Sequence, residues 1–148
     1  MSDIHIEDFY KDVAIIFLRL YSTFPQKGIL YVDDICGTDD PDEFGLHSER
    51  FLAGYSAMVW LADQGYLQFS ETIKQEALDQ AVLTEKGFLL LSTRSELDFG
   101  EPEGELPLSV MEESHTNINQ LRRALKSKSS IIIKQCVQYL LAEGAKQV

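Results

Sequence analysis

The chain has 148 residues, 45% of them hydrophobic and 25% charged, and its 24 acids against 13 bases give a formal net charge of −11. This is the size and composition of a globular domain with a substantial core, and no apolar run approaches the roughly 18 residues of a membrane span. The acidic start, MSDIHIEDFYKD, is unlike a basic secretory or transit peptide, and the two cysteines, Cys36 and Cys136, make no disulfide framework, so reduced thiols and a cytoplasmic location are expected.

Along the chain, Ile6, Phe9, Val13, Ile16, Phe17, Leu20 and Phe24 recur at three- and four-residue steps and predict a first helix over residues 6–24. Asp3 is its expected N-cap, and Pro25 and Gly28 stop it. Its middle, Val13-Ala-Ile-Ile-Phe-Leu18, is apolar on nearly every side, so it needs cover from the C-terminal helices or from a second subunit. Gly28–Val32 reads as a short strand and Asp33–Cys36 as one helical turn, followed by an acidic loop from Thr38 to Leu46. Ser48 is the expected N-cap of a second long helix, Glu49–Gln64, closed by Gly65. Tyr66–Ser70 reads as a strand, Glu71–Gln75 as a hairpin tip and Ala77–Leu83 as the returning strand. Thr84 then caps a helix through Leu91. Beyond it, Met111, Ile118, Leu121 and Leu125 form one apolar stripe, Ser127–Ser130 interrupt, and Ile131–Leu141 form a last helix.

The expected fold is mainly α with a small β wing, an α+β arrangement. Residues 1–95 form its body, 96–107 an acidic linker or surface loop rich in Gly and Pro, and 108–148 a C-terminal helical segment that docks or dimerises. Charge is divided along the chain. Residues 1–105 carry 21 acids and 7 bases, and residues 106–148 carry 3 acids and 6 bases.

The order of elements over residues 6–92, with YSAMVWLADQGYLQF followed by AVLTEKGFLLL, resembles the winged-helix family, a variant of the helix-turn-helix. The Leu83-Thr84-Glu85-Lys86-Gly87 step is of the kind that follows the wing there. In DNA-binding members the long helix enters the major groove and the wing touches the backbone. Carried over, the resemblance makes Ser48–Gln64 the recognition helix and Ser70–Leu78 the wing, with Lys74 at its tip. It implies a transcription regulator contacting DNA through Ser48, Arg50 and Lys74, aided by Arg122 and Arg123 from the basic C-terminal segment. The charge argues otherwise. Phosphate contact needs cations on the docking face. The recognition helix has only Arg50 against Glu49 and Asp63, and the preceding segment holds Asp33, Asp34, Asp39, Asp40, Asp42 and Glu43.

On a helical wheel, Phe51, Leu52, Tyr55, Met58, Val59 and Ala62 fall together as the expected core face. The opposite side, with Arg50, Ala53, Ala57, Trp60 and Leu61, is small and apolar. Ala53, Ala57, Trp60 and Leu61 are therefore the candidate protein-binding residues, facing the C-terminal helices, a second subunit or a partner. The reading is a non-enzymatic interaction module, with homodimerisation through the C-terminal helices or the first helix. No phosphate loop, dinucleotide turn or nucleophile elbow is present. His5, His47 and His115 lack metal-ligand spacing, although His47 could meet Asp39, Asp40 or Asp42. No catalytic, cofactor or metal residue is assigned. Phe9, Tyr10, Tyr21, Tyr55 and Trp60 could line a pocket or belong to the core.

Overall fold

A computed structural model describes residues 3–99 and 115–146. The described residues are 57% helical, with a small antiparallel sheet, so the expected α+β class is the observed one. In chain order the elements are α1 (Ile4–Thr23), β1 (Gly28–Tyr31), α2 (Asp33–Cys36), α3 (Glu49–Asp63), β2 (Leu67–Gln68), β3 (Glu71–Ile73), β4 (Ala77–Leu83), α4 (Glu85–Ser92), α5 (Asn117–Ser127) and α6 (Ser130–Ala145).

Helix α1 is the axis of the molecule. Val13, Ala14, Ile16 and Phe17 are fully buried because α3 packs on one side of it and α5 and α6 on another. The cover that its apolar middle demands comes from the C-terminal helices of the same chain. Asp3 stands at the N-cap, but its side chain makes no capping bond. Its backbone carbonyl instead accepts from the Ile6 and Glu7 N–H groups.

Strand β4 is central, with β1 on one edge and β3 and β2 in succession on the other. Leu30, Leu78, Ala81 and Leu83 point from this sheet into the core. The hairpin differs from the expectation. Glu71–Ile73, anticipated as its tip, is a strand paired with Asp79, Leu78 and Ala77, and the tip shrinks to Lys74 and Gln75, both with positive φ (49° and 59°). Turns of this kind favour Asn and Gly, so Lys-Gln concealed it. The strand expected over Tyr66–Ser70 is only Leu67–Gln68.

Caps mark most of the predicted boundaries. Ser48 Oγ accepts from Phe51 N–H at 3.2 Å, Thr84 Oγ1 from Gly87 N–H at 3.1 Å, and Ser129 Oγ from Ile132 N–H at 3.3 Å. Gly65, at φ +85°, turns the chain out of α3. Gly87 has a packing role, because a Cβ there would collide with the Tyr66 carbonyl oxygen, which itself accepts from Thr84 N–H. Tyr66 is also pinned at its far end, where its phenol lies against Gly144 of α6.

Helices α5 and α6 share one core with the body. Ile118, Leu121, Ile133, Val137 and Leu140 pack in the same cluster as Phe17, Leu61 and Leu91. Leu125 is half-buried beside them, and Met111 lies outside the described residues. Of the expected linker, only residues 96–99 are described, and they are fastened down. Phe99 N–H donates to Gln120 Oε1 at 2.9 Å, and Leu97 and Phe99 pack on the core.

Candidate interaction surface

The helical wheel of α3 is rotated from its expected setting. Phe51, Gly54, Ala57, Met58 and Leu61 are its buried residues, while Leu52 is exposed. Ala57 (3% exposed) and Leu61 (0%) therefore belong to the chain's own core and are not available to a partner, which corrects their assignment as binding residues. The cause is α1, which packs on α3 and engages it through Arg50–Asp12 and Trp60–Phe9. Ala53 remains exposed. Trp60 is 38% exposed with its indole edge-on to Phe9 of α1, ring centroids 5.3 Å apart. The outward strip of α3 is Leu52, Ala53, Ser56 and half-buried Val59, flanked by Glu49 and Asp63.

Arg50 does not reach outward. Its guanidinium forks onto Asp12 of α1, with nitrogen–oxygen distances of 2.8 and 2.6 Å, and its Nε lies 3.5 Å from Asp8. Asp12 is 1% exposed. Burial pushes its carboxyl up, against the pull of Arg50, and Arg50 is raised in turn by its bonds to Asp12. This pair locks α3 to α1.

The other cations are dispersed. Lys74 is exposed at the hairpin tip. Arg122 donates to Asn119 Oδ1 at 2.8 Å and lies over the Tyr21 ring, 5.7 Å from its centroid. Tyr21 is nine residues along α1 from the Asp12 that holds Arg50, roughly 13 Å of helix. Arg94 is exposed, its backbone forming an isolated β-bridge with Thr116, and Arg123 is half-buried on α5. Ser48 serves as a cap, with its N–H given to Asp39 Oδ2 at 3.0 Å.

One cluster was only partly legible: His47 meets Asp39, one of the acids its position offered, and also Glu76, which the sequence did not suggest. His47 Nδ1 lies 3.0 Å from Asp39 Oδ2, and Nε2 lies 3.1 Å from Glu76 Oε1 at the start of β4's approach. The ring stacks on Phe51, centroids 3.9 Å apart. Two ionised carboxylates only accept hydrogen bonds, so the ring fits them best as the doubly protonated cation. Its pKa is raised by the bond to Glu76, with burial opposing and Asp39 assisting. A raised pKa means stability that is present below about pH 6.5, the value of an unperturbed ring, and lost as pH rises through the folded value. Urea unfolding of the parent and His47→Gln between pH 6 and pH 9 should show a difference that shrinks with rising pH. A gap constant across that range would contradict this role.

The acidic loop has a defined shape. Asp42 Oδ1 accepts from the N–H groups of Phe44 and Leu46, both at 2.9 Å, and Leu46 carbonyl accepts from Asp42 N–H at 2.8 Å. This Asx-type turn holds Phe44 outward, 78% exposed, with Leu46 at 64%. Neither residue stands out in the sequence by periodicity; the only hint is a phenylalanine amid acids.

The aromatics considered as pocket lining pack on one another or on the core. Tyr21 stacks along Phe88 at 6.0 Å, and Phe9 lies between Tyr10 and Trp60. Cys36 and Cys136 are unpaired, and burial pushes the Cys136 thiol up to about 12. No helix among the described residues is long and apolar enough to cross a membrane. Comparison with protein-family models, curated proteins and solved structures found no match.

Proposed function

We propose that this chain is a non-catalytic, cytoplasmic protein-interaction module on a winged-helix-like body. The element order from α1 to α4, the central position of β4 between β1 and the hairpin, and the Thr84–Gly87 step out of the wing support the fold reading. The observation that carries the functional reading is the fate of Arg50. The one cation of the would-be recognition helix is consumed by Asp12 and Asp8, and the outward strip of that helix presents Leu52, Ala53 and Ser56 between Glu49 and Asp63. From Asp33 to Asp79 there are eleven acids and two bases. Such a surface repels a phosphate backbone and suits a protein partner.

The test is fluorescence anisotropy with a labelled random-sequence duplex at low salt, where backbone attraction is strongest. No binding is the expected result. Binding that falls with salt at a log–log slope of about −0.9 per phosphate contact would overturn the module reading in favour of a regulator that reaches DNA through Arg122, Arg123 and their neighbours.

A further inference from the structure

The four most exposed large apolar side chains among the described residues are Phe44 (78%), Ile131 (67%), Leu46 (64%) and Ile4 (59%). They sit on three segments: the start of α1, the start of α6 and the loop before α3. Exposed apolar residues gathered in this way mark a contact surface. Between the first two segments lies a cleft of about 450 Å³. Its floor is Leu125 and Ile133, and its rim includes Lys11 and Lys128, with the carboxylates of Glu7 and Asp8. Asp8 is already matched by Arg50.

The loop and the cleft are neighbours. Asp8 of the cleft holds Arg50 in the first turn of α3, and Asp39 of the loop holds the N–H of Ser48, two residues earlier. Both features thus flank the same end of α3. They are also complementary. The loop surrounds Phe44 with Asp40, Asp42 and Glu43, while the wall of the cleft that α5 and α6 supply carries Lys128 and no acid, and Lys11 stands on the opposite rim. The Asp42 turn holds Phe44 out in advance, so little ordering is left for binding, and an aromatic side chain entering a preformed apolar pocket is the usual anchor of an interface.

We propose that two copies of this chain pair through this end, each seating Phe44 of its acidic loop in the α1/α5–α6 cleft of the other. Because loop and cleft share one end, a single two-fold axis satisfies both contacts at once. The proposal rests on the module reading and names its partner. At a net charge of −11 the two copies also repel at long range, and salt weakens that repulsion together with the local attraction, so variants at fixed salt are the decisive readout.

Sedimentation equilibrium of the full chain, from micromolar to near-millimolar concentration, is expected to follow a monomer–dimer curve. Phe44→Ser should weaken it at least about tenfold, as loss of an anchor does. Lys128→Glu should weaken it too, and adding Glu43→Lys to Lys128→Glu should restore part of the loss. All three positions are exposed, and circular dichroism will report intact folding. A monomer at every concentration, or a dimer that Phe44→Ser leaves unchanged, would overturn the pairing. Either result leaves the module reading to stand or fall on the duplex experiment.

Discussion

Replacing Arg50 with Met should cost about 3–5 kcal/mol of folding stability, the usual penalty for leaving a buried charge without its partner. Asp12 is 1% exposed, and Arg50 supplies two short bonds to it. Without them the carboxylate must take up a proton or stay charged in an apolar setting. The loss should therefore depend on pH. The folded carboxyl then titrates well above the unfolded value near 3.9, so stability falls as pH rises through that window and is regained in acid. The double variant Asp12→Leu, Arg50→Met removes both charges and should be close to neutral or stabilising, since a well-packed apolar pair of similar volume often replaces a buried ion pair without loss. Urea denaturation of the three proteins at pH 4.5 and pH 7.5 checks this. If Arg50→Met alone proved as stable as the parent at pH 7.5, the pair would not be what joins α1 to α3.

Gly87→Ala should also be strongly destabilising, against the ordinary trend. In a helix interior, Gly→Ala gains roughly 0.5–1 kcal/mol. Here the new methyl would meet the Tyr66 carbonyl oxygen, which is backbone and already bonded to Thr84 N–H. Relief requires moving either α4 or β2, and overpacking of this sort costs about 1–3 kcal/mol, occasionally more. Gly144→Ala is the useful comparison. Its methyl would meet the outer end of the Tyr66 side chain rather than backbone, so its loss should be smaller. Urea midpoints in the order parent, Gly144→Ala, Gly87→Ala are expected. A rise in midpoint for Gly87→Ala would show that propensity outweighs the collision.

How much of this was readable beforehand depends on the range of the interaction. Capping is local, so Ser48 and Thr84 announced α3 and α4 correctly, and the 3.6-residue period located α1, α5 and α6. The setting of α3 was not readable. Its wheel has two apolar sides, and the choice between them was made by α1, whose Asp12 lies 38 positions before the Arg50 it holds. The Glu76 half of the His47 cluster was hidden for the same reason, because Glu76 lies 29 positions downstream. The hairpin tip was misjudged because Lys74 and Gln75 adopt positive φ without the residues that signal it. The shortage of cations on the long helix was legible from composition alone, and the engagement of Arg50 by Asp12 and Asp8 sharpens it.

The covering of α1 by α6 has a consequence for synthesis. Helix α1 is synthesised before α6 and buries itself against it, more than a hundred residues later. At about 5–20 residues per second, Val13, Ile16 and Phe17 wait for roughly 5–20 seconds before the surface that completes their burial exists. During that interval the nascent chain displays the apolar face of α1 as a ready-made chaperone target.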